Sequence, residues 1–88
     1  MGATMKITVR YFALLRERAG VDAEVVAWEG PAPDVGRLRE HLAGRDPSLA
    51  PILSGRPLLV AVNRQYAAGD TRLQEGDEVA LLPPVAGG

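Results

Sequence analysis

Cysteine is absent from the 88 residues. That excludes disulfides, thiolate metal sites and cysteine nucleophiles together. Histidine occurs once, at position 41, so a multi-histidine metal centre is excluded as well. Neither sign of charge dominates: ten lysines and arginines stand against eleven aspartates and glutamates, for a net charge of −1. Nothing in that balance argues for nucleic acid or an anionic membrane surface as a partner. Long apolar runs are missing too. The longest near the start, Tyr11 to Leu15, follows Lys6 and Arg10 and is far too short to span a bilayer or to serve as a secretion signal. A cytoplasmic location is the default expectation. What remains for chemistry is carboxylates, amines, hydroxyls and the chain end.

What the chain does have is a patterned, ordinary globular composition, 47% hydrophobic and 24% charged. Its length suits one domain, residues 1–88, with one modest core and no deep cleft. Residues 1–4 lack periodicity and read as an extension. From Met5 to Phe12 the pattern alternates, with Met5, Ile7, Val9 and Tyr11 on one face and Lys6, Thr8 and Arg10 on the other. This predicts a half-buried strand. Ala13 to Ala19 predicts a short helix, with Gly20 as its left-handed C-terminal residue. A second strand, Ala23 to Trp28, returns antiparallel because the connection is short. Trp28 is expected to cap the core edge. Glu29 to Pro33 is a loop by composition.

Asp34 is placed to cap a helix running to about Ala43, with Val35, Leu38 and Leu42 along one side and Gly44 ending it. His41 borders that apolar stripe and has no spaced partner for catalysis. Asp46-Pro47 predicts a cap followed by proline at the first helical position, with Leu49, Ile52 and Leu53 packing one short turn. Ser54 to Pro57 is a turn. Leu58 to Val62, the most apolar strand, is expected at the sheet centre. Asn63-Arg64 predicts a tight turn before a short edge strand, Tyr66 to Ala68. Leu73 plugs the core, and Glu75-Gly76-Asp77 is a turn rather than a metal or phosphate motif. The last strand, Glu78 to Leu82, sets Val79 and Leu81 against Ala80 and Leu82. One main helix covers one face of a four- or five-stranded mixed sheet, so the other face is left for a partner.

The chain then ends Leu81-Leu82-Pro83-Pro84-Val85-Ala86-Gly87-Gly88. Each proline fixes φ and lacks an amide hydrogen, so neither continues a paired central strand. The chain is pushed off the body and held extended. At about 3.3–3.6 Å per residue, the five residues from Pro84 reach about 16–18 Å. The group delivered at the tip is the α-carboxylate of Gly88.

That ending, from Gly76-Asp77-Glu78-Val79-Ala80 through Pro83-Pro84-Val85-Ala86-Gly87-Gly88, resembles the molybdopterin synthase small-subunit family of sulfur carriers. So do Met5 to Ala13, Leu15-Arg16-Glu17, Gly20 and Val60-Ala61-Val62-Asn63. The likeness covers nearly all of residues 5–88. It implies an α+β, ubiquitin-like β-grasp fold with an extended C-terminal tail. It also implies a role in molybdenum cofactor biosynthesis as the sulfur-carrying subunit, not an enzyme on its own. The catalytic residues would lie in a large subunit, with which the chain forms a heterotetramer.

In such a carrier Gly88 is adenylated by a ubiquitin-activating-type enzyme that consumes ATP. It is then converted to a thiocarboxylate with sulfur from a sulfurtransferase, and it donates that sulfur to a cyclic pyranopterin precursor. No cofactor or metal is bound by the carrier itself. Gly88 supplies the reacting carboxylate, while Gly87, Ala86, Val85, Pro84 and Pro83 thread the tail into the partner. Leu82, with Val85, supplies an apolar anchor. Two positions depart from the family pattern: Leu81 and Leu82 stand where many members carry aromatics, and Arg64 replaces a frequent glycine. Carriers for tRNA or thiamine thiolation, a ubiquitin-like protein modifier and a plain interaction domain with an inert tail are the competing readings.

Overall fold

The computed structural model describes residues 4–54 and 57–83. The chain runs β1 (Thr4–Tyr11), α1 (Ala13–Ala19), β2 (Ala23–Glu29), α2 (Val35–Arg45), α3 (Ala50–Leu53), β3 (Leu59–Val62), β4 (Gln65–Tyr66) and β5 (Glu78–Leu82). The strands form one five-stranded sheet in the order β2-β1-β5-β3-β4. β1 pairs antiparallel with β2 and parallel with β5, and β5 pairs antiparallel with β3. This mixed sheet, with its helices, is the expected ubiquitin-like β-grasp.

Alternation in β1 buries Ile7, Val9 and Tyr11 almost completely, and β5 does the same with Val79 and Leu81. The helix α2 lays Val35, Leu38 and Leu42 onto that face, and Leu49, Ile52, Leu53 and Leu73 close the core around it. Asp34 caps α2 by accepting a hydrogen bond from the Arg37 amide at 2.8 Å. Leu38 has no exposed surface, so Leu38→Ala removes buried methyls and leaves a cavity. We expect a loss of about 2–5 kcal/mol, read as a lower urea midpoint with the slope unchanged.

A polar tie holds the C-terminal end of α2 against the β1–β2 hairpin. The Tyr11 hydroxyl donates to Glu24 Oε2 at 2.6 Å, and Arg45 Nη2 donates to the same oxygen at 2.7 Å. Burial, reinforced by the Glu24 bond and charge, pushes the Tyr11 phenol well above its usual range. The Glu24 bond likewise raises the Arg45 guanidinium. The three residues are separated by 13 and 21 positions, so no local pattern announces them.

Several sequence expectations need correction. β1 begins at Thr4, paired with Glu29. The helix α2 does not stop at Gly44. It continues to Arg45, where the Asp46 amide bonds back to the Leu42 carbonyl, and Pro47 then disfavours further α conformation. Pro47 does not open the next helix, which starts at Ala50 with Pro51 in its first turn. Asp46 instead accepts from the Ser48 amide and hydroxyl in an Asx turn, which holds its carboxyl below the usual range.

β3 is not central. The middle place belongs to β5, which has a partner on each side. Hydrophobicity alone cannot separate the two positions, and β3 follows a half-buried pattern with Leu59 exposed. The edge strand β4 is only Gln65–Tyr66, because the chain leaves the ladder once the Ala67 amide has bonded the Val60 carbonyl. The expected turn over Ser54–Pro57 lies partly outside the described residues.

Candidate tail-presenting face

The tail follows β5, the middle strand of the sheet. β5 is flanked by β1 and β3, and Leu81 is fully buried at its end. Leu82 pairs with Leu59 and is half-buried, facing away from the helices; Pro83, also half-buried, follows it. Pro84, Val85, Ala86, Gly87 and Gly88 lie outside the described residues. Of the residues assigned to the tail from sequence, the structure therefore describes Leu82 and Pro83. A proline directly after the ladder ends the donor series, so the tail starts at a firmly anchored point.

Sheet register assembles an apolar patch beside that exit, on the face the helices leave open. One row across the sheet runs Arg10, Ala80, Ala61 and Tyr66, each paired with the next. The neighbouring row carries Leu82 and Leu59. Phe12, still extended at φ −125° and ψ 154°, continues the β1 alternation beside Leu82. Tyr66 is 78% exposed and Leu59 56% exposed. Large apolar side chains exposed together on one face mark an interaction surface more than scattered single ones do.

Arg10 borders this patch. Its guanidinium lies 5.9 Å from the Phe12 ring centroid and 3.7 Å from the Glu78 carboxylate. Both charges are well exposed, so the ion pair contributes at most about 1 kcal/mol, but it puts a polar rim on an apolar centre. The sequence foretold that one sheet face would be left open. Composition gave no sign that Tyr66 belongs to it, because that depends on the turn setting Tyr66 opposite Ala61. The turn places Asn63 and Arg64 at φ 50° and 71°, the two positive values of a type I′ hairpin. Asn63 locks it by donating to Asp77 and accepting from the Glu78 amide. Arg64 sits there without glycine's freedom.

No trio of histidine, aspartate or glutamate is disposed to hold a metal among the described residues. Asp77 spends both carboxylate oxygens inside the turn, on the Asn63 side chain and the Gln74 amide. His41 lies edge-on to Trp28 at 5.1 Å between centroids, and the Trp28 indole donates to the Pro31 carbonyl. Trp28, packed against the core margin, sits on β2, two strands from β5. No helix among the described residues is long and apolar enough to cross a membrane.

Comparison with known proteins agrees with this geometry. The model of the ThiS family matches residues 9–88. The molybdopterin synthase sulfur carrier subunit of Escherichia coli is 44% identical over 82 residues, covering 93% of this chain and 99% of that protein. Among solved structures, small archaeal modifier protein 1 of Haloferax volcanii superposes with a TM-score of 0.78 at 30% identity, over 92% of this chain and 99% of its own. A chain in the complex of subunits 1 and 2 of the molybdopterin-converting factor from Helicobacter pylori matches with a TM-score of 0.64 at 28% identity, over 96% of this chain and all of its own.

Proposed function

The chain belongs to the ThiS family, and from that premise we propose that it is the sulfur-carrying small subunit of a molybdopterin synthase. The observation that carries this reading is the placement of β5. The strand that leads into Pro83-Pro84-Val85-Ala86-Gly87-Gly88 is the central one, and it emerges beside the open apolar patch. A partner that grips the patch receives the tail at a fixed place. The Escherichia coli relative and the Helicobacter pylori complex support a carrier that works with a larger partner.

In this mechanism Gly88 is the terminal residue and its carboxylate is the reacting group. An ionised carboxylate, with its ordinary pKa near 3.3–3.7, is a poor electrophile at neutral pH. A separate adenylating enzyme supplies ATP. The carboxylate oxygen attacks the α-phosphorus, pyrophosphate leaves, and an acyl adenylate forms. A sulfurtransferase then delivers sulfur at the sulfide level, which attacks the acyl carbon, expels AMP and leaves a thiocarboxylate. A chain without cysteine thus carries sulfur on its own terminus. The loaded tail enters the large subunit, where the catalytic residues reside; its sulfur bonds to the pyranopterin precursor, and water then takes the acyl carbon and restores the Gly88 carboxylate. The chain binds no nucleotide or metal of its own and works in the cytoplasm.

Side chains along the tail have simple physical tasks. Pro83 and Pro84 limit the entropy lost on docking. Val85 and Leu82 anchor apolar pockets, and Ala86 and Gly87 keep the last stretch narrow. Incubation with ATP, an adenylating enzyme and a sulfur donor should exchange one terminal oxygen for sulfur, as read by intact-mass spectrometry. Addition of a candidate large subunit and pterin precursor should then discharge it. A terminus that stays fully oxygenated would defeat the proposal.

Likeness to a small archaeal modifier favours one second reading, in which the Gly88 acyl group forms an isopeptide bond with a lysine. Branched lysine peptides bearing the tail would identify that use.

A further inference from the structure

The geometry points to a two-fold dimer formed by antiparallel pairing of β2 with β2 of a second copy, joining two sheets into one of ten strands. The inference concerns the sheet edge opposite β4 and is independent of the tail chemistry.

The two edges of the sheet are treated differently. β4 ends one side after two residues, and a very short edge strand discourages pairing with another chain. β2 ends the other side over seven residues, Ala23–Glu29, in unbroken register with β1. It contains no proline, lysine or bulge of the kind that usually guards an edge.

Backbone directions follow from the register. The Tyr11 amide bonds the Asp22 carbonyl, whereas Lys6 and Thr8 send their amides to the Glu75 side chain and the Asp77 carbonyl. Odd residues of β1 therefore face β2, and even residues face the other way. In an antiparallel pair the alternation is strict, so Ala23, Val25 and Ala27, opposite Arg10, Thr8 and Lys6, direct their amides and carbonyls outward. No strand among the described residues receives them. Their side chains are small and uncharged, and Val25 is 62% exposed.

A second copy fits this edge in a specific register. With the axis at Val26, Val25 pairs with the partner's Ala27, Ala23 pairs with the partner's Glu29, and no like charges are opposed. The flanking helix adds complementarity. α2 runs alongside β2, because Arg45 bonds Glu24 near one end and His41 meets Trp28 near the other. Arg37 and Glu40 line a shallow hollow of about 500 Å³ with those two rings. Each copy thus offers Glu24 and Arg45 at one end of the edge and Arg37 and Glu40 at the other. The two-fold axis brings opposite ends together, so the Glu24–Arg45 pair of one copy faces Arg37 and Glu40 of the other, a set with two acids and two bases. β5 lies two strands in from this edge, and Leu59, Ala61 and Tyr66 of the apolar patch lie beyond it.

Sedimentation equilibrium of the full chain across the micromolar to millimolar range tests the dimer. The unaltered protein should self-associate, and the Val25 and Ala27 amides should gain exchange protection as concentration rises. Val25→Pro removes two intermolecular donors per dimer but no bond to β1. It should weaken association by about tenfold or more, equivalent to about 1.4 kcal/mol. Val25→Lys should do the same through repulsion, with the melting temperature of either variant close to that of the parent. A chain that stays monomeric throughout overturns the inference, as does a dimer that both variants leave equally strong.

Discussion

Replacing Gly87 with valine, or adding one residue after Gly88, should abolish sulfur transfer while leaving the fold intact. The two variants fail for different reasons. In the proposed mechanism the last residues must pass narrowly into the partner, where valine would add a branched Cβ, and it removes conformations open only to glycine. The extension leaves every existing residue unchanged but moves the reacting carboxylate by about 3.3–3.6 Å. Displacement by even about 1 Å can cost a hundredfold in rate, so we expect at least that loss in sulfur transfer from each. Fold integrity is checked by urea unfolding, which should be unchanged because the last strand ends at Leu82, before the altered positions. The assay is single-turnover release of sulfur from thiocarboxylated protein, or thiocarboxylate formation if loading itself fails. Full activity in either variant contradicts a mechanism that uses the end of the chain.

Much of the scaffold behind this tail was legible from local pattern. Alternation from Met5 to Tyr11 has period two, and it forces Ile7, Val9 and Tyr11 onto the core face whatever the neighbouring strands are. The Asp34 cap and the Val35-Leu38-Leu42 spacing are likewise local. Gly20, at φ 79°, does what a C-terminal helical glycine does. The errors came where the outcome depends on partners distant in sequence. Gly44 resembled a helix stop, yet the Arg45–Glu24 contact rewards one more residue of helix. β3 was the most apolar strand, yet lateral order follows from which strands pair, and β5 pairs with both β1 and β3. For the site, the tail itself is legible as a motif, of which the structure describes Leu82, the last residue of β5, and Pro83 after it. Its companion patch was legible only in part. Leu59 and Ala61 alternate visibly with Val60 and Val62, but Tyr66 joins them only through the Asn63-Arg64 turn.

Because that patch sits at the tail exit, it should control how firmly the carrier is held by its large subunit. Tyr66→Asp and Leu59→Asp place a charge in the centre of an apolar contact while altering side chains that are already mostly exposed. The monomer should therefore melt near the parent temperature. In a complex, the new carboxylate must be desolvated without a partner, and the apolar area it replaced is lost. Central aromatic and large apolar residues of interfaces often contribute about 2 kcal/mol or more, so each variant should weaken binding by roughly thirtyfold. Arg37→Gln, on α2 and therefore across the sheet from the patch, makes the same change of −1 in net charge and should bind normally. Titration calorimetry against a candidate large subunit separates these outcomes. If Arg37→Gln weakens binding as much as Tyr66→Asp, recognition is diffuse electrostatics and the open face has no special role. If Tyr66→Asp and Leu59→Asp bind normally while the Gly87 variant is dead, the tail alone docks. The expected pattern, with both face variants weak and Arg37→Gln unaffected, requires the grip and the tail to act together, as a rigid central strand passing from one to the other allows.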